Sequence, residues 1–418
     1  MELRAGYKQT EVGVIPERWA VMSFQHLLDF RNGINADKGA YGKGLPFVNV
    51  LEVITKGHLK ASDIPGRVTI AKSVAEVFTV RRGDMVFNRS SETPEEVGLS
   101  SVYLDTQPAV FGGFVIRGQF RNDLVDPIYS GYAFRAPAIR KQIVARGQGA
   151  IRANIGQADL KQVVAPIPPM PEQCAIATAL SDVDALLAKI DQLISKKRDL
   201  KQAAMQQLLT GQTRLPGFSG EWEVKRVREF TDCTSGGTPS TSNANYWGGS
   251  IRWMSSGELN LKLVAEVEGR ITANGLRNSS TKMIPERCVL IGLAGQGKTR
   301  GTVAMNLVEL CTNQSIAAIL PSQTFVPEYL YYNLDARYDE LRGLSTGDGG
   351  RGGLNLTIIR ALSVPFPKLA EQTAIAAVLS DMDAELATLE ARRDKTCALK
   401  QGMMQALLTG RIRLAGAN

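Results

Sequence analysis

Only two histidines, His26 and His58, occur in 418 residues, and both lie in the first half of the chain. A duplicated histidine-based catalytic or metal site is therefore excluded, and neither histidine has a cysteine or serine partner at a known spacing. His26 lies in an apolar stretch and reads as a packed side chain. Five cysteines (Cys174, Cys233, Cys288, Cys311, Cys397) are scattered without the C-x2-C spacing of a zinc site. An odd, scattered set reads as reduced thiols in the cytoplasm. No run of 18 apolar residues is present, so no membrane span is expected. The opening Met1-Glu2-Leu3-Arg4 lacks the apolar core of a secretory signal, so secretion is not expected.

What is present is a duplication. Shifted by 199 positions, 172–215 falls on 371–414, and more than half of the 44 paired residues are identical. Glu172-Gln173 falls on Glu371-Gln372, Leu180-Ser181-Asp182 on Leu379-Ser380-Asp381, and Leu208-Leu209-Thr210-Gly211 on Leu407-Leu408-Thr409-Gly410. Each copy opens on prolines, Pro166-Ile167-Pro168-Pro169 and Pro365-Phe366-Pro367, which end a strand or helix. Each closes on a glycine suited to the left-handed position after a helix. Roughly 40 helical residues at about 1.5 Å each give rods of about 60 Å.

Within the rods, apolar residues alternate four and three apart: Ile176, Leu180, Val183, Leu187, Ile190 and Ile194 in one, Ile375, Leu379, Met382, Leu386 and Leu389 in the other. That spacing predicts a coiled-coil seam, interrupted by Lys197 and Arg393. The rods are expected to pair with each other antiparallel, since the intervening globular part returns the chain to its start. Pairing with another subunit is the alternative. The fold class expected is α+β: two similar mixed α/β domains, 1–170 and 212–369, separated by helices 171–211 and 370–410, with a tail 411–418. Net charge is +8, and the positive excess lies outside the helices, which suits a polyanionic partner.

The globular parts also correspond. Glu17-Arg18-Trp19 matches Gly220-Glu221-Trp222, and Tyr129 to Tyr132 matches Tyr329 to Tyr332. Short apolar runs separated by glycines predict small sheets with a helix or two. One scaffold with divergent loops implies two ligands of one class and different identity.

The doubled pattern P-x-P-x-x-x-E-Q, I-x-x-x-L-S-D-x-D-A and K-Q-x-x-M-Q-x-L-L-T-G resembles the specificity subunits of type I restriction–modification systems. Gly236-Gly237-Thr238-Pro239-Ser240, Tyr246-Trp247-Gly248-Gly249 and Ser255-Ser256-Gly257-Glu258 also resemble that family's recognition domains. The resemblance covers essentially the whole chain. It implies that each domain reads one half of a split double-stranded DNA target, while the helices set the gap and dock two modification subunits. Restriction subunits would complete the complex. It also implies a non-catalytic chain binding no cofactor, with S-adenosylmethionine, ATP and magnesium on partner subunits.

Base reading needs donors and acceptors on loops that reach a groove. In the first domain these are Asn88-Arg89-Ser90-Ser91 and the glycine-flanked Arg146, Gln148 and Arg152. In the second they are Gln296, Lys298, Thr299 and Arg300, with Thr346 and Arg351. Candidate partner-docking or coiled-coil residues are Ile176, Leu180, Val183, Leu187, Ile190, Ile375, Leu379, Met382, Leu386 and Leu389.

Two other classes are weighed. Gly292-Leu293-Ala294-Gly295-Gln296-Gly297-Lys298-Thr299 satisfies the G-x-x-x-x-G-K-[ST] phosphate-loop pattern and, read literally, predicts a nucleotide-hydrolysing protein. A phosphate loop must open a helix, whereas Arg300-Gly301-Thr302-Val303-Ala304 suits a strand. The other class is an assembly scaffold that binds no DNA. A methyltransferase acting on amino groups would show [DNS]-P-P-[FYW], but Pro168-Pro169 stands between Ile167 and Met170.

Overall fold

A computed structural model describes residues 5–149, 152–295, 298–344 and 353–414. The long helices run Met170–Leu209 and Leu369–Leu407, and Gly211 and Gly410 follow them at φ of 72° and 68°. The chain divides into two compact units. One holds the residues up to Ile190 together with those from Arg392 onward, and the other is Asp191–Ala391. The division falls inside the long helices, not at their ends, so each unit owns the start of one helix and the finish of the other.

In the first unit the central sheet has five strands in the order Leu28–Asn32, Val115–Phe120, Met85–Asn88, Ser100–Tyr103, His58–Leu59. The second unit repeats it as Cys233–Ser235, Ile316–Ile319, Val289–Gly292, Val303–Asn306, Leu263–Val264. In both, the last pair is parallel and the others antiparallel. A four-stranded sheet accompanies each: Arg67–Val68, Tyr41–Val48, Ala109–Phe111, Thr79–Val80 in one, and Arg270–Ile271, Trp247–Met254, Leu310–Thr312, Met283–Ile284 in the other. These two sheets therefore correspond strand for strand, while the hairpin Tyr7–Thr10/Gly13–Pro16 and the pair Ser90–Ser91/Ala153–Asn154 of the first unit have no counterpart among the described residues of the second.

The central strands Met85–Asn88 and Val289–Gly292 are buried along their whole length. Alternate residues face different cores, as a strand of period two requires. Met85 and Phe87 enter a core that reaches the helices through Ile176, Leu180, Leu407 and Leu408, while Val86 enters a second one. Val289 and Ile291 do the same beside Leu208, Leu209, Ile375 and Leu379, and Leu290 turns the other way. Covering both faces explains runs that are apolar throughout.

The helices meet antiparallel inside each unit. In the first, Asp184 pairs with Lys400 at 2.5 Å. In the second, Lys197 pairs with Glu385 at 2.7 Å, and Lys201 pairs with Asp383. Lys197 thus breaks the apolar seam because it has an acidic partner opposite. Ile176, Leu180 and Ile190, with Ile375, Leu379 and Leu386, are buried, and Val183, Leu187, Met382 and Leu389 are half-buried. Ile176 and Leu180 pack with Leu407 and Leu408, and Ile375, Leu379 and Met382 with Leu208 and Leu209, in cores shared with the sheet domains.

Each helix begins at a buried carboxylate. Glu172 accepts from Trp19 Nε1 at 2.9 Å and from Arg413 Nε and Nη2 at 2.9 and 2.8 Å. Glu371 accepts from Trp222 Nε1 at 3.1 Å and twice from Arg214 at 2.6 Å. The neighbouring glutamines are equally employed: Gln173 Oε1 accepts from Asp126 N at 2.8 Å, and Gln372 Oε1 from Val326 N at 2.9 Å. Further along, Tyr132 donates to Asp184 Oδ2 at 2.6 Å and Tyr332 to Asp383 Oδ2 at 2.8 Å. The repeated E-Q and S-D-x-D motifs are therefore the plugs that seat a sheet domain on its helix pair.

Removing Glu172 leaves the buried Trp19 Nε1–H without its acceptor, at a cost of about 1–3 kcal/mol, whereas the partly exposed Arg413 can turn to water. Glu172→Ala should lower the stability of the first unit by that order in urea unfolding, and an unchanged midpoint would contradict this account. A second expectation concerns His58, which is wedged against Tyr132 with Nε2 at 2.9 Å from Ile128 O. Burial lowers its pKa; Ile128 O and Asp184 oppose the shift, while Lys400 and Arg135 add to it. The unfolded chain therefore binds more protons below about pH 6.5, so stability is lost as pH falls through that region. The urea midpoint should drop between pH 7.5 and 5.5 more steeply for the native chain than for His58→Gln.

Candidate nucleic-acid interface

At one end of the first unit's central sheet, two loops far apart in sequence are joined. Ser90–Ser91 pairs antiparallel with Ala153–Asn154, and Gln148 forms a further bridge with Asn154. The joint is locked by Ile155 N donating to Arg89 O at 2.9 Å and Arg89 N donating to Phe114 O at 2.8 Å. This brings 88–91 together with 146–149 and Arg152. Arg89, Gln148 and Arg152 are exposed there, and Ser90 and Arg146 are half-exposed. Arg152 keeps a loose, solvent-screened ion pair with Glu92 at 3.4 Å. Such a pair contributes little and is readily exchanged for a phosphate.

Two of the expected readers are placed otherwise. Asn88 is fully buried, donating through Nδ2 to Glu96 O at 3.0 Å and accepting from Ser90 N at 3.2 Å. Ser91 is buried too and donates to Glu96 Oε2 at 2.7 Å. Both staple the loop from inside, and neither side chain is free to face a base. The turn 112–114 belongs to the cluster and was missed from sequence, because Gly-Gly-Phe carries no hydrogen-bonding side chain.

The second unit repeats the joint: Leu293 N donates to Ser315 O and Leu354 N to Leu293 O, each at 2.8 Å. Lys298 is exposed beside it, and Thr299 and Arg300 are half-exposed. Gln296, Thr346 and Arg351 lie outside the described residues. The phosphate-loop pattern takes the form of a connection between antiparallel strands, Val289–Gly292 and Val303–Asn306. Gly301 N donates to Gly292 O at 2.9 Å, and strand follows where a phosphate-binding helix would have to begin. The equivalent connection in the first unit closes identically, Gly98 N donating to Asn88 O at 2.8 Å. The glycine-rich stretch is thus a variant of a shared turn.

Three of the five thiols are disfavoured as nucleophiles. Cys233, Cys288 and Cys311 are buried, and burial raises all three thiols, that of Cys288 to about 12. Among the described residues, no helix is long and apolar enough to cross a membrane.

The family model described as "Type I restriction modification DNA specificity domain" matches residues 219–396. A putative type I restriction enzyme MjaX specificity subunit of Methanocaldococcus jannaschii is 24% identical over 98% of this chain and 97% of its own length. The EcoR124I/EcoR124II specificity subunit of Escherichia coli is 27% identical over 53% of this chain and 56% of its own. The type I restriction–modification S subunit from M. genitalium has a similar fold, with a TM-score of 0.58 at 15% identity over 97% of this chain and 98% of that one. A chain solved in work on assembly and conformational transition of the type I R-M system gives 0.59 at 17% identity, over 95% and 99%. Across nearly its whole length the chain is thus similar to specificity subunits of type I restriction–modification systems, and its second half matches the family's DNA specificity domain.

Calorimetric titration with magnesium and ATP should show no saturable binding. Micromolar binding abolished by Lys298→Ala would instead restore the nucleotide reading.

Proposed function

We propose that this chain is the non-catalytic, DNA-reading subunit of its complex, with each sheet domain reading one block of a split target. The observation that carries this is the loop joint built twice on an identical frame, with Arg89 and Arg152 exposed in one copy and Lys298 in the other. A frame conserved to single hydrogen bonds beneath loops of different chemistry suits two ligands of one class. The basic side chains suit a polyanion, because neutralising phosphates releases condensed counterions.

In the first domain, Arg89, Arg146 and Arg152 supply phosphate or guanine contacts, with Ser90 and Gln148 as donors and acceptors beside them. In the second, Lys298, Thr299 and Arg300 take those parts, together with Gln296, Thr346 and Arg351. The long helices set the unread gap and recruit two modification subunits on surfaces outside the buried seam. S-adenosylmethionine, and ATP with magnesium for cleavage, belong to the modification and restriction subunits in this reading.

Selection from randomised duplexes by the chain in complex with its modification subunits tests the proposal. Two short blocks separated by a gap of fixed length should be enriched, and a single contiguous block or no enrichment would contradict it. Arg89→Ala with Arg152→Ala should weaken binding and reduce the slope of log affinity against log salt by about two, one per lost phosphate contact.

A further inference from the structure

The loop joint holds an aromatic ring that its frame does not need. Phe114 is 61% exposed, in the turn between Ala109–Phe111 and Val115–Phe120. Both sides of the turn are fixed. Its carbonyl accepts from Arg89 N at 2.8 Å, and Val115 N donates to Gly112 O at 2.9 Å. Ile34 bridges to Gly112, and Asn35 lies so close under Gly113 that an added Cβ would stand 2.2 Å from its Oδ1. The ring therefore stands out to solvent from a fixed mount; a single exposed apolar side chain is ordinary in itself, and its meaning comes from its neighbours.

Its surroundings are those of a base-reading surface. Arg89 Nη1 approaches Gly113 O at 3.4 Å, and Phe114 lines one concavity with Ser90, Glu92 and Arg152. Arginine matches guanine, glutamate accepts from the cytosine amino group, and serine serves either. An apolar group among them has one partner of matching chemistry on a major-groove edge, the thymine 5-methyl.

The second unit supplies a contrast on the same backbone. Asn313 N donates to Met254 O as Gly112 N does to Val48 O, and Ser315 O takes the bond that Phe114 O takes. The equivalents of Gly113 and Phe114 are therefore Gln314 and Ser315. Gln314 is exposed, and its Oε1 accepts from Thr238 Oγ1 at 2.6 Å. One turn thus displays an aromatic ring in one domain and an amide with a hydroxyl in the other.

We propose that this turn is a specificity position, and that Phe114 covers the 5-methyl of a thymine in the block read by the first domain. The inference rests on the DNA-reading function above. The amide and hydroxyl at the equivalent turn give the second domain a polar requirement there.

The test uses the complex with its modification subunits and the duplex it selects. Each thymine of the first block is replaced singly by deoxyuridine, which removes the methyl and nothing else. One replacement should weaken binding about four-fold, the worth of one buried methyl group. Phe114→Ala should abolish that sensitivity, Phe114→Leu should keep it, and deoxyuridine in the second block should respond to neither variant. Sensitivity unchanged in Phe114→Ala, or no thymine that matters, overturns the proposal. So does a Phe114→Ala loss equal for all sequences, which would mark a wedge between base steps. If the native complex selects no split target at all, the underlying DNA-reading function fails instead.

Discussion

A carboxylate buried at the first turn of each long helix is the constraint on which the rest of the structure depends. An unpaired carboxylate there would be prohibitive, so Glu172 and Glu371 must each find a cation and a further donor. The tryptophan comes from the start of the same sheet domain. The arginine comes from just beyond the end of the other long helix, Arg413 for Glu172 and Arg214 for Glu371. The partners of Glu172 are 153 and 241 residues away. Satisfying both carboxylates closes the finish of one repeat onto the start of the other, and the antiparallel seam inside each unit follows from that closure.

The closure leaves the loops free to vary. Each central sheet is covered on both faces, and each domain is seated by the same Glu-Gln, Tyr–Asp and Lys–Asp contacts. Those groups lie on helices and strand ends, away from the joints where Arg89, Phe114 and Arg152 gather in one domain and Lys298, Gln314 and Ser315 in the other. Changing a joint therefore leaves the frame's hydrogen bonds in place, the separation expected of a scaffold that carries exchangeable binding loops. The same separation explains how a phosphate-loop pattern can arise without its chemistry. A glycine-rich connection between antiparallel strands uses a left-handed residue, supplied by Gly98 at φ 61° and Gly301 at φ 80°.

How much of this was legible in the sequence differs by element. The helices were plain, because a 3-4 apolar alternation and a terminal glycine are local signals repeated at one offset. The sheets were visible as short apolar runs, but their order depends on pairings far apart in the chain. The grouping of each helix start with the other helix's finish was hidden, since nothing local marks Ile190 or Ala391 inside a continuous helix. Glu172 and Glu371 could be read as first-turn acids, but not as ligands of Trp19 and Trp222. In the candidate site, Arg89 was found as a charge just beyond an apolar strand and Arg152 as one on a glycine-rich loop, whereas Asn88 misled. Its amide suits a base or a turn equally well, and only the fold shows it is enclosed. Phe114 was passed over because exposure of an aromatic ring has no sequence signature.

The central claim is that one frame carries two independent reading surfaces, and grafting one onto the other position tests it most directly. Residues 223–366 placed where 20–167 stand would meet the same Gln173 and Asp184 that their own domain meets as Gln372 and Asp383. Selection from randomised duplexes by this graft, in complex with its modification subunits, should return the native second block unchanged and a second copy of it in place of the first. A graft that folds but alters both blocks, or keeps the native first block, would contradict the account.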